Sequence, residues 1–200
     1  MGPEIQQLLF RHQRQALDQI AELVPEAHDL DPASFFEQFA YPGEAGFRNQ
    51  GCSGTGILLP GPKEAENRAH LHIEEHYDTR NPHVLKFYRY EICWSFDFVL
   101  TAPPNDHVRD SIIVLRRGVR FDHHPHFQDP HHPTYHWHPN GCSEFRLSTG
   151  EMSPLKVAIV ASLMFDRARL NTLESTRITK AIEELRREIP CLPWDTNQNV

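Results

Sequence analysis

The chain has 200 residues, 39% of them hydrophobic and 24% charged, with a formal net charge of -7 when its 14 histidines are neutral. These values describe a folded domain rather than a disordered chain. The acidic balance argues against a broad, sequence-blind grip on nucleic acid, which needs net positive charge at the interface.

The length fits one domain over residues 1–200. It is expected as a helical and loop-rich extension over about 1–69 followed by an α+β core over about 70–190. The N-terminus, MGPEIQQLLF, lacks the basic start and long apolar run of a signal peptide. No apolar run approaches the length of about 20 residues that spans a bilayer, so no membrane partner is expected. The cysteines at 52, 93, 142 and 191 form no Cys-x-x-Cys pair, which argues against a zinc ribbon and for a reduced, cytoplasmic protein.

Ile5, Leu8, Leu9, Leu17, Ile20 and Leu23 recur at roughly helical spacing and predict an amphipathic helix over 4–24, ended by Pro25. Asp31-Pro32-Ala33-Ser34 opens a short helix expected to carry Phe35, Phe36 and Phe39. The stretch GCSGTG at 51–56 lacks the Gly-Lys-Ser/Thr ending of a phosphate-binding loop and reads as a glycine-rich loop.

From residue 70 the pattern changes to strands. His70–His76 alternates, with Leu71 and Ile73 on one face. Residues 85–100 (LKFYRYEICWSFDFVL) are aromatic and β-branched, as in a long strand or a kinked pair. TAPPND at 101–106 reads as a turn, and residues 110–121 as the next strand, with Gly118 a candidate bulge. Short strands are expected at 135–138 and 144–147, on either side of the turn Pro139-Asn140-Gly141. Ser153-Pro154 starts a helix, and Ile178, Ile182, Leu185 and Ile189 mark a last one that Pro190 ends. The order predicts an α+β fold: an antiparallel sheet of about four to six strands flanked by N-terminal and C-terminal helices.

The chemistry concentrates between Asp122 and His138. His124-x-His126 and His136-x-His138 each place two imidazoles on one face of an extended backbone, because strand side chains alternate with period two. Such pairs chelate a divalent transition metal such as zinc, manganese or nickel, or share acid and base duties in phosphodiester cleavage. His124, His126, His136 and His138 are the candidate ligands. Asp122 supplies an oxygen ligand or orients a histidine. His123, His131 and His132 read as surface residues. Arg116 and Arg120 share one face of the preceding strand, and their guanidinium forks suit phosphate oxygens. A second group, His70-x-His72 with Glu74, Glu75 and His76, has the His-x-His step of a cupin metal motif without its flanking glycines, and reads as an ordinary strand face.

The run Arg120-Phe121-Asp122-His123-His124-Pro125-His126, followed by Pro133-Thr134-Tyr135-His136-Trp137-His138, resembles the signature of the TumE-like toxin components of bacterial toxin–antitoxin pairs. The resemblance spans about residues 85–165. It implies a growth-inhibiting toxin acting on RNA and restrained by an antitoxin protein. The leading expectation is therefore a nuclease effector, a ribonuclease in which Asp122, His126, His136 and His138 are catalytic and Arg116 and Arg120 hold phosphate. A non-catalytic metal-binding or protein-interaction domain and a cupin-like metal enzyme acting on a small molecule are the alternatives.

Overall fold

A computed structural model describes residues 1–49, 57–59, 69–100, 111–125, 132–139, 146–165, 170, 175–190 and 192; the side chains of 57–59, 95–100 and 111–117 are not described. The glycine-rich loop at 51–56, the turn at 101–106, His126, His131, Asn140-Gly141, residues 144 and 145, and the cysteines at 52, 142 and 191 lie outside the described residues.

Helix α1, Pro3–Ala21, opens with proline in its first turn, where a missing N–H costs nothing. It buries Leu9, Ala16, Leu17 and Ile20 on one face. A 3-10 turn, Pro25–Asp29, leads to the one-turn helix α2, Pro32–Phe35. Asp31 caps α2 by accepting the Ser34 N–H at 3.1 Å. The helix does not carry Phe36 and Phe39 as the sequence suggests. Phe36–Tyr41 is strand β1, paired with β2, Glu44–Asn49. A single helical turn gains few hydrogen bonds, whereas an aromatic run beside a tight turn gains a full ladder. Gly43 supplies the positive φ of that turn, 83°.

Six more strands follow: β3, Ile57–Leu59; β4, Ala69–Asp78; β5, Leu85–Leu100; β6, Ser111–His123; β7, Tyr135–Pro139; and β8, Leu147–Ser148. All pair antiparallel in the order β1-β2-β4-β5-β6-β7-β8, with β3 also on β4. Among the described residues the sheet has eight strands, more than the four to six expected, because β1, β2 and β3 arise in the stretch that reads as loop-rich. β5 is one continuous strand. Its register with β6 runs unbroken past Gly118, and the irregularity of the sheet falls instead between His76 and Tyr77.

The helices cover one face of the sheet. α1 and α3, Pro154–Phe165, pack on the strands, and α4, Thr176–Glu188, packs on α3. The core between them holds Phe47, Leu71, Ile73, Tyr90, Ile92 and Phe121, each at most 1% exposed; burial of such a side chain stabilises by about 1.5–3 kcal/mol. Ser175 caps α4, whose stripe Ile178, Leu185 and Ile189 is buried as its spacing predicts. Lys156 of α3 is also buried, and its Nζ pairs with Glu188 at 3.1 Å and Glu184 at 3.2 Å. Among the described residues no helix is long and apolar enough to cross a membrane.

Candidate functional site

The opposite face of the sheet is polar. β4 alternates strictly: Ala69, Leu71, Ile73, Glu75 and Tyr77 point to the core, and His70, His72, Glu74 and His76 to the other side. Antiparallel register then builds a row of charge across six strands. Glu37 lies opposite Arg48, Arg48 opposite Glu74, Glu74 opposite Arg89, Arg89 opposite Asp122 and Asp122 opposite His136. Signs alternate along this row. Arg48 pairs with Glu37 at 3.3 Å, and Arg89 pairs with Glu74 at 3.7 Å and Asp122 at 3.6 Å. The His72 and His76 imidazoles beside Glu74 hold its carboxyl well below the usual range. A neighbouring row carries rings: Phe39, His76, Phe87 and His124, with successive centroids 4.7 or 4.8 Å apart. Gly46 lets Phe39 reach His76, because a Cβ there would meet the Phe39 ring at 2.7 Å.

The charge row ends in a buried cluster. Asp122, His136 and His138 are each 1–2% exposed, and one ligand atom from each lies within 4.8 Å of the others. Asp122 Oδ2 is 3.0 Å from His138 Nε2 and 3.8 Å from His136 Nε2. Strand β7 turns both histidines to this face, and β6–β7 pairing sets His136 against Asp122 and His138 against Arg120.

Backbone carbonyls fix the tautomers. His136 Nδ1–H donates to the Pro133 carbonyl at 2.8 Å, and His138 Nδ1–H to the Pro139 carbonyl at 3.3 Å. A carbonyl only accepts, so each Nδ1 carries a proton, and each Nε2 faces the carboxylate, that of His138 within hydrogen-bond distance of Asp122 Oδ2. Burial pushes the His136 pKa down, which keeps that ring neutral. Arg120 brings a cation to the same point, its Nε–H donating to Asp122 Oδ2 at 2.7 Å and lying 3.1 Å from His138 Nε2.

The same atoms can hold a metal ion. Bonds of the usual length in a tetrahedral site separate ligand atoms by about 3.4 Å, and the two separations from Asp122 Oδ2, 3.0 and 3.8 Å, bracket that value. Histidines whose second nitrogen donates to a carbonyl are the usual form of metal-binding imidazole.

Of the residues expected from sequence, Asp122, Arg120, His136 and His138 come together. His124 does not join the ligand group; its ring stacks on His136 at 5.7 Å, and burial pushes its pKa down to about 4. His126 lies outside the described residues, and Arg116 is placed only by its backbone, opposite Ser95 on β5. Of the histidines that read as surface residues, His123 is buried and His132 is half-buried. His123 is 9% exposed on the core face, stacked on Tyr135 at 4.6 Å, because one step along a strand reverses the face. His132 packs edge-on against His136 at 4.6 Å. Sequence reasoning missed Arg89 and Glu74 as parts of this site. The alternation of Phe87, Arg89 and Glu91 along β5 carried the signal, but nothing in it names the neighbouring strand.

No protein-family model, curated protein or solved structure matches this chain.

Proposed function

We propose that the protein is a toxin-like nuclease effector that cleaves RNA at the Asp122–His136–His138 centre with a bound divalent transition metal. The convergence of one carboxylate and two tautomer-fixed imidazoles on adjacent strands is the observation that carries this reading. A metal bound there supplies charge stabilisation and an activated water to phosphodiester cleavage. Arg120, with its side chain 28% exposed, and Arg89, at 36%, offer guanidinium groups beside the carboxylate for the phosphate. The neighbouring rings Phe87 and His124 offer stacking surfaces to bases. Local arginines answer the objection raised by the acidic net charge, since a single-stranded substrate needs a local basic site rather than a basic protein. The resemblance around Asp122–His138 adds the expectation of growth inhibition relieved by an antitoxin partner in the cytoplasm.

Arg120 favours a second reading. Its N–H already occupies the gap between Asp122 and His138, so a metal-free mechanism is open. There one imidazole takes the 2′-hydroxyl proton and an imidazolium protonates the leaving oxygen.

The test is degradation of single-stranded RNA by untagged protein with zinc, manganese or nickel, and with chelator. Wild type runs beside the double variant His136→Ala/His138→Ala. Metal-dependent cleavage lost in the variant supports the first reading. Cleavage resistant to chelator but lost in the variant supports the second. Full activity of the variant removes this cluster from the mechanism.

A further inference from the structure

The helix-covered face of the sheet carries a separate feature. A cavity of about 240 Å³ opens between α1, strands β4 and β5, and the segment leading into α3. Its wall includes Glu75, Tyr77, Tyr90, His12, His83 and Glu151 and, among the described residues, no lysine or arginine. Glu75 interrupts the apolar alternation of β4 with a carboxylate that is 5% exposed. The Tyr77 hydroxyl donates to one of its oxygens, and the Tyr90 hydroxyl to the other at 2.6 Å. Among the described residues no basic side chain pairs with it.

This arrangement is unusual for a purely structural carboxylate. Burial favours the protonated form of this carboxyl, two hydroxyls give hydrogen bonds without charge, and a cation entering the cavity would take the place of the proton. The walls are suited to a cation. The His12 ring stacks on Tyr77 at 4.2 Å, and its Nε2–H donates to the Pro82 carbonyl at 3.2 Å. Burial lowers the His12 pKa, so the ring adds an aromatic face and no positive charge at neutral pH. Electron-rich aromatic faces attract ammonium groups. The size also selects. An apolar cavity of about 150 Å³ accommodates benzene, so this one takes a ring with a short polar arm.

We propose that this cavity binds a small organic cation, a primary ammonium on a short arm of a ring-sized body, with Glu75 as its anionic partner and Tyr77 and His12 as its aromatic wall. The site faces away from the Asp122 cluster, and its occupancy does not depend on what that cluster does.

The probe is phenethylammonium, with 2-phenylethanol as the neutral molecule of the same shape, each titrated into the full-length protein by calorimetry. The ammonium binds, and the alcohol binds at least about tenfold more weakly, as expected for loss of a charge-assisted hydrogen bond. Glu75→Gln keeps the shape, with one tyrosine hydroxyl turning to accept from the new amide N–H, and weakens ammonium binding by about tenfold or more. Gln15→Trp, a substitution at the exposed α1 residue of the lining, blocks binding without touching the buried carboxylate. Equal affinity for ammonium and alcohol, equal ammonium binding to Glu75→Gln, or no ammonium binding at all overturns the proposal.

Discussion

Arg120 and Asp122, two residues apart on one strand, are joined by a hydrogen bond of 2.7 Å from the guanidinium Nε–H to the carboxylate Oδ2. The same N–H reaches His138 Nε2 at 3.1 Å. A metal on the cluster needs these two acceptor atoms, so the guanidinium and the metal are alternatives. Binding of the ion would release Arg120 toward the phosphate. Arg120→Ala is expected to tighten zinc binding about tenfold, because no charge-assisted hydrogen bond has to be given up, while cleavage of RNA falls. Competition against a zinc-sensitive dye measures the affinity. Zinc binding that is unchanged or weaker in the variant would show that the two cations do not compete.

Arg89 is expected to act on substrate binding. It lies between Glu74 and Asp122 with its side chain 36% exposed. Arg89→Ala should raise KM for RNA with little change in kcat. It should also lower the slope of log affinity against log salt by about one. A fall in kcat at constant KM would place Arg89 at the reacting bond instead.

Asn49 ties β2 to β4 where their ladder ends. Its side-chain amide donates to the Leu71 carbonyl at 2.9 Å, and its oxygen accepts the Ile73 N–H at 2.6 Å. Asn49→Ala leaves both backbone groups buried without these partners, at a cost of about 2 kcal/mol or more. Urea unfolding followed by circular dichroism reads this as a lower midpoint. A midpoint equal to wild type would mean that water replaces the amide.

Glu75 makes stability depend on pH. Burial raises its pKa above the ordinary value of 4.5. In the window between 4.5 and the raised value, the folded state keeps a proton that the unfolded state has lost. Stability from this group is therefore greatest at low pH and is lost as pH rises through the window. Glu75→Gln removes the dependence, so the variant should gain on wild type between pH 5 and pH 8 in thermal unfolding. Parallel profiles for the two proteins would show that the fold does not raise the Glu75 pKa.

Much of the molecule is legible without its fold. The stripe of α4, the apolar face of α1, and the alternation of Leu71 and Ile73 against His70 and His72 follow from periods of 3.6 and 2. The step from Asp122 to His136 and His138 is also visible, because a dense histidine run is conspicuous. The short strands at 36–49 are less so. Their turn is plain at Pro42-Gly43, but Phe36 and Phe39 fit either a helix or a strand until a partner strand is known.

By itself the sequence determined which residues share a face within each strand, since that depends only on the local period of the backbone. It thereby paired His136 with His138. Only the tertiary structure decided that Arg89 stands against Asp122, that His124 stacks outside the ligand group, and that His123 turns into the core. Those outcomes depend on the order and register of strands. A shift of one residue exchanges the two faces, and what holds the register is burial of Tyr90, Ile92 and Phe121 beneath the helices, far along the chain from the residues it aligns.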